Sequence, residues 1–269
     1  MVWLWVLIGA VAAGPVWVAA VIWTATRLRR RNMPKKSDSS SAHEGFVELN
    51  RLVSGLAHEI KNPLSTINVN LRLLSEDLER PGDENDRRRS LRRLQSVREE
   101  TRRVERILED FLRFAGKHEL TLCVTDLRTL VDELADFFAP QAQAAHVIMR
   151  TALPDSPVPC NVDVNLIKQA ILNLMINAIE AIADAGELFV KVSAEPERAI
   201  VEVIDTGPGM DPETMQNIFT PYFSTKKGGS GLGLPTCRRI IREHGGRLEV
   251  TSEPGKGTRF VISLPLAQQ

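Results

Sequence analysis

The first residues in this sequence whose types and spacing could do chemistry are His58, Glu59 and Asn62, in the run G-L-A-H-E-I-K-N-P-L at residues 55–64. On a helix, side chains four apart share a face, so Asn62 stands one turn above His58. A carboxylate that engages the N–H of one ring nitrogen fixes the tautomer and keeps the other nitrogen a lone-pair nucleophile. Glu59 is adjacent and suits that part. A histidine on an arbitrary helix face is usually just solvated. What lifts this one above that reading is a second set of residues about 110 positions later.

That second set suits a nucleotide. Asn173 and Asn177 lie four apart in N-L-M-I-N-A-I-E-A, opposite the apolar Ile171, Met175 and Ile182. Amide oxygens are hard, neutral ligands, suited to a magnesium ion that keeps its waters and a triphosphate. Asp205 ends an apolar run and opens D-T-G-P-G-M. A carboxylate there can accept from the adenine exocyclic amine, and Gly207 and Gly209 let the backbone come close to the base. The run G-G-S-G-L-G-L then enters a helix, so Gly229, Gly231 and Gly233, with Leu232 between the last two, can offer backbone N–H groups to phosphates. Lys226 just upstream can reach the terminal phosphates. The turn G-K-G-T, ending at Thr258, is as readily structural as functional. Each signal alone is weak. Together they predict a holder of Mg-ATP, and a phosphoryl donor beside an acceptor imidazole predicts a chain that phosphorylates its own histidine.

Two kinds of element must position these groups. Residues 43–116 carry helical periodicity. Val53, Leu56, Ile60, Leu64, Ile67, Leu71, Leu74 and Leu78 form one apolar seam, and Leu94, Val97, Thr101, Val104, Leu108, Phe111 and Ala115 form another. A doubled step of four near His58 unwinds a supercoil locally, and Pro63 lacks an N–H just beyond it. Pro81-Gly82-Asp83 makes the turn of a helical hairpin. One hairpin cannot bury its own seam, whereas two can as a four-helix bundle, which predicts a homodimer. From about residue 119 the period alternates. Strands are expected at 147–152, 188–194, 199–204, 248–251 and 260–264, and helices at 126–144, 164–182 and 232–244. That is a two-layer α/β domain with its helices on one face of a mixed sheet. Residues 209–231 read as a mobile, glycine-punctuated loop.

The bulk properties agree. A chain of 269 residues has room for about two domains, and 34 basic residues balance 34 acidic ones, which points away from nucleic acid. Cys123, Cys160 and Cys237 form no C-x-x-C pair and read as small buried hydrophobes in a reducing compartment. Residues 2–26 hold no charged side chain and are followed by Arg27, Arg29, Arg30 and Arg31. A single-pass anchor in the cytoplasmic membrane with the rest of the chain inside fits better than a cleaved leader, which lacks its basic start here. The expected division is an anchor with basic flank at 1–31, a linker at 32–43, a dimerising phosphoacceptor hairpin at 44–117 and an ATP-binding domain at 118–269.

In this order the motifs resemble the histidine-kinase family. The H-box, the asparagine box, two glycine boxes and F-T-P-Y-F-S-T-K at residues 219–226 all match, across roughly residues 44–266. The wording A-H-E-I-K-N-P-L, P-Y-F-S-T-K and G-L-G-L is similar to the nitrogen-regulation branch. The resemblance implies a Bergerat-type ATP-binding sandwich, as in gyrase and MutL, with a lid near residues 210–230. It implies that Asn177 coordinates magnesium, Asp205 reads adenine and His58 receives the γ-phosphoryl group. Transfer to an aspartate of a separate response-regulator receiver domain would follow, with Asn62 serving the reverse, phosphatase reaction. ATP-driven clamps of the same nucleotide fold need a carboxylate where this chain has Asn173, and have no use for the H-box. No HAMP-like or PAS-like input region and no receiver domain is read in these residues.

Overall fold

The structure is a computed structural model, and it describes residues 39–78, 84–116, 119–182, 185–226 and 229–267, with side chains from residue 52 onward. The expected membrane span, the turn at residues 81–83 and most of the linker lie outside the described residues. Among the described residues no helix is long and apolar enough to cross a membrane. The chain divides into two units, Met1–Arg51 and Leu52–Gln269. Every contact discussed below lies within the second.

Two long helices come first, α1 (Ser39–Leu78) and α2 (Glu84–Ala115). Helix α1 starts four residues earlier than its periodicity suggests and runs unbroken through Pro63, so the seam irregularity does not open the helix. Cross-links run Glu59–Arg103, Asn70–Ser96 and Asp77–Ser90, which makes the pair antiparallel. Arg93 seals the far end by donating to the Leu73 carbonyl at 2.6 Å and pairing with Asp77. Within one chain much of the predicted seam faces outward: Val53, Leu64, Leu78 and Leu94 are all exposed. The buried positions at the base are Leu52, Leu56, Ile107 and Phe111, so Leu52 and Ile107, which the predicted seam does not include, join two residues that it does. They bury because they face the second domain, which the hairpin's own periodicity does not encode.

That domain is the expected two-layer sandwich. A five-stranded sheet has the order β2 (Val147–Ala152), β4 (Gly186–Ala194), β5 (Arg198–Asp205), β7 (Gly257–Pro265), β6 (Arg247–Glu253), with only β2 and β4 parallel. Helices α3 (Leu127–Ala144), α4 (Val164–Ala181) and α6 (Gly233–Glu243) carry its core, with Ile167, Ile171, Leu174 and Met175 of α4 fully buried. On the other sheet face Glu202 is buried between Lys191 and Arg259. Burial raises its pKa, yet the two cations outweigh that and hold the carboxyl below its usual range.

Three elements were not expected from the pattern. A two-stranded sheet joins β1 (Cys123–Asp126) to β3 (Pro159–Val162), strands of four residues each and too short to show alternation. It leaves Cys123 exposed, whereas Cys160 and Cys237 are buried as expected. A short helix, α5 (Pro212–Asn217), interrupts the expected loop, with Asp211 accepting the Thr214 N–H at 2.7 Å as its cap.

Candidate active site

Helix α4 sets out the nucleotide side. Asp163 caps it by accepting the N–H groups of Asn165 and Leu166, and also takes the Thr121 N–H. The Asp163 N–H in turn donates to His244 Nε2 at 3.0 Å, so the ring proton resides on Nδ1 and goes to the Ile240 carbonyl at 2.7 Å. This ties the end of α6 to the start of α4. At the other end of α6, Asn173 Nδ2 reaches the Gly233 carbonyl at 3.5 Å. Asn173 and Asn177 are both half-buried, on the side of α4 opposite its core residues.

Asp205 stands at the end of β5 and is buried, 4 % exposed. Its Oδ1 accepts the Gly207 N–H at 2.9 Å and the Thr258 N–H at 3.2 Å, which leaves Oδ2 for another donor. Burial raises its pKa above the usual carboxylate range, and the two amides and Lys226 only partly offset that. Thr258 is thus the neighbour that orients Asp205. Gly209 has φ +67°, and a Cβ there would stand 2.0 Å from the Glu253 carbonyl oxygen. The β6–β7 turn pressing on the loop is therefore enough to require glycine at 209. Ser252, which sequence reasoning missed, seals this contact by accepting the Met210 N–H at 2.9 Å.

Lys226 donates to the Asn177 carbonyl at 3.3 Å and to Glu180 at 2.8 Å. Glu180 sits inside the motif that carries both asparagines, yet nothing in the pattern singled it out. Among the described residues no cluster of three His, Cys, Asp or Glu side chains could hold a metal ion. A cation here would rest on amide and phosphate oxygens, which magnesium accepts and a transition metal does not favour. Helix α6 has no side-chain cap at its start, so its first N–H groups suit a phosphate.

The glycine loop leading into α6 also grips the hairpin. Ser230 Oγ donates to Asp110 at 2.6 Å, and Leu232 is fully buried against Leu52, Leu56, Ile107 and Phe111. Of the residues expected at the phosphates, Leu232 therefore sends its side chain to the hairpin, and its N–H goes to Ser230 Oγ at 3.3 Å. Tyr222, at φ +66°, lies in the same cluster. Farther along, Arg239 donates to the Arg113 and Gly116 carbonyls, both at 2.8 Å, and its guanidinium lies over the Phe114 ring. These carbonyls end α2, so a side chain of α6 finishes a helix of the hairpin.

His58 and Asn62 are exposed on α1, as expected of an acceptor and its neighbour. Glu59 forms no hydrogen bond with His58 among the described residues; its carboxylate lies 3.9 Å from Arg103 across the hairpin. A cleft of about 620 Å³ is lined by Glu59 and Arg103 on one wall and by Tyr222, Ser224, Lys226 and Gly229 on the other. It joins the helix of His58 to the lysine that touches Asn177.

Comparison with known proteins gives consistent matches. The family described as "His Kinase A (phospho-acceptor) domain" matches residues 48–119, and "Histidine kinase-, DNA gyrase B-, and HSP90-like ATPase" matches residues 162–268. The sensor histidine kinase ZraS of Escherichia coli O157:H7 is 32% identical over 249 residues, covering 93% of this chain and 53% of that protein. Sporulation kinase E of Bacillus subtilis is 32% identical over 81% of this chain and 28% of its own length. The chain thus spans about half or less of these curated relatives. Among solved structures, the nucleotide-free catalytic domain of histidine kinase ThkA is 30% identical, with a TM-score of 0.50 over 54% of this chain and 97% of that one. ThkA in complex with the response regulator TrrA reaches a TM-score of 0.64 at 25% identity, over 87% of this chain and 68% of that one.

Proposed function

The chain belongs to the histidine kinases of two-component systems, and from that premise we propose that it phosphorylates His58 from Mg-ATP and hands the phosphoryl group to a receiver aspartate on another protein. The observation that carries the reading is the position of Lys226. It contacts the Asn177 carbonyl on the nucleotide side and lines the cleft that Glu59, next to His58, enters from the other.

Asp205 accepts from the adenine amine through Oδ2 while the Gly207 and Thr258 amides hold Oδ1. Asn173 and Asn177 would hold a magnesium ion, which would supply charge neutralisation on the phosphate oxygens. The first amides of α6 and Lys226 take the phosphates. His58 attacks the terminal phosphorus through Nε2 as the bond to the leaving ADP oxygen breaks, and Glu59 takes the proton from Nδ1. For that, Glu59 must turn from Arg103 toward the ring. Most of the acceleration then comes from position and electrostatics, while motion of the catalytic domain against the hairpin limits turnover.

Further readings belong with this one. The exposed row Val53, Leu64, Leu78 and Leu94 supports a homodimer closed as a four-helix bundle. The solved ThkA–TrrA complex supports a receiver domain as the partner. Residues 2–26 form the membrane anchor, Asn62 serves dephosphorylation of the receiver, and the motif wording places the chain near the nitrogen-regulation branch.

The test is labelling with γ-labelled Mg-ATP beside His58→Ala. Acid-labile label on the unsubstituted chain and none on the variant is expected. Label that survives in His58→Ala would sink the assignment of the acceptor.

A further inference from the structure

Three buried side-chain atoms among the described residues lack a hydrogen-bond partner: Arg103 Nε, Glu100 Oε2 and Arg239 Nε. Arg239 is otherwise engaged at the end of α2. The other two belong to residues that line the cleft beside Glu59. Arg103 Nη2 is 3.9 Å from Glu59 and Nη1 is 3.9 Å from Glu100, both too long for hydrogen bonds. A half-buried guanidinium therefore lies between two carboxylates, in loose ion pairs with both and with its buried Nε donor unpartnered. An orphaned charged donor at the wall of a cleft suits a ligand. A planar fork fits the paired oxygens of a phosphoryl group better than any other group in the reaction.

The charges point the same way. Glu59, Glu99 and Glu100 line the cleft against Arg103, Arg106 and Lys226, three of each sign. A dianionic phosphoryl group entering from the Lys226 side meets three carboxylates and needs a cation on the hairpin wall. Arg103 is the one placed between two of them.

We propose that Arg103 is a phosphoryl-binding residue of the transfer step, taking two oxygens of the group as it passes from ATP to His58. The assignment rests on the kinase reading and deepens it. As the terminal phosphorus leaves its ADP oxygen and bonds His58 Nε2, the fork turns to the phosphoryl oxygens. Glu59 then loses its cation and is free to take the Nδ1 proton. Binding of the phosphoryl group and release of the base are one event.

The experiment uses the full chain, saturating γ-labelled Mg-ATP and single-turnover labelling of His58, beside displacement of a fluorescent ATP analogue. Arg103→Gln is expected to slow labelling about 100-fold, the effect of losing one preorganised donor to a developing charge. Arg103→Lys keeps the charge but loses the fork, and is expected to slow it about tenfold. ATP affinity should change less than about twofold in both, since the interaction forms only during transfer. Labelling of both variants at the unsubstituted rate overturns the proposal. So does a loss of ATP affinity that accounts for the loss of rate. If Arg103→Gln does not fold, Arg103→Lys decides alone, because its charge keeps both carboxylates partnered. No label on the unsubstituted chain would overturn the kinase reading and this assignment together, whereas equal label on all but His58→Ala overturns the assignment only.

Discussion

The Tyr222 ring lies across Gly55, its hydroxyl donating to the Leu52 carbonyl at 2.7 Å. A Cβ on Gly55 would stand 2.3 Å from the ring. The glycine is a notch in α1 one turn before His58, and the tyrosine that fills it belongs to the loop leading to Lys226. This explains how a residue with φ +66° is held, since a strained backbone persists only where its surroundings fix it.

Gly55→Ala should therefore expel the ring and undock the loop. Tyr222 is the only tyrosine, so its phenolate absorbance reports on docking directly. Burial, with Glu59 nearby, pushes the native phenol up to about 12. A raised folded pKa means that docking is fully present below the ordinary tyrosine value and is lost as pH rises through the folded one. In Gly55→Ala the titration should return toward about 10. An unmoved titration would show that the ring is held elsewhere.

Asp205→Asn should weaken ATP binding by roughly 1.5–3 kcal/mol, the range for a hydrogen bond to a charged group, without unfolding the domain. Because burial raises the Asp205 pKa, the acceptor is protonated at a higher pH than an ordinary carboxylate. As pH falls, affinity for ATP in the native chain should accordingly begin to drop sooner than it would with an ordinary aspartate at this position. Isothermal titration across pH measures both effects.

Asp163 should matter to stability and not to chemistry. Burial raises its pKa, but the amides of Leu166, Thr121 and Asn165, with His244, more than reverse this and lower it. A depressed folded pKa contributes stability above the unfolded value, which is lost as pH falls through the folded one. Asp163→Ala should cost about 1 kcal/mol at neutral pH and much less in strong acid, read by denaturant unfolding at both.

Leu64→Glu and Leu94→Glu place charges in the exposed seam and should yield a particle of 29.9 kDa by sedimentation, while the unsubstituted chain runs as a dimer. Nucleotide binding should survive, because the ATP site lies in the other domain. A dimer that tolerates both charges would move the interface off this seam.

The sequence was most legible where a single element declares itself. The alternation in β4, β5 and β7 and the face of α4 carrying Asn173 and Asn177 could be read from spacing alone, as could Asp205 at a strand end. The strands β1 and β3 were missed because four residues cannot show a period. The joint between hairpin and catalytic domain was missed for a different reason. Leu232 sits among glycines and reads as part of a phosphate loop, Tyr222 carries no periodic signal, and Gly55 looks like helix filler. Only when distant segments meet do Leu232, Tyr222 and Gly55 become partners. Leu52 and Ile107 were missed for the same cause, since helical period identifies a stripe but not what covers it.

The seat of Leu232 has a further consequence. Burying one leucine side chain is worth only about 1.5–3 kcal/mol, and the hydrogen bonds around it add about 0.5–1.5 kcal/mol each. Such a joint is weak enough to open on thermal motion, and each opening uncovers Leu232, Ile107 and Phe111 at once. The open form carries a sticky surface that the closed form hides. The chain should then be hardest to keep in solution, and easiest to cut with a protease near residue 232, in just those states where its two halves work apart.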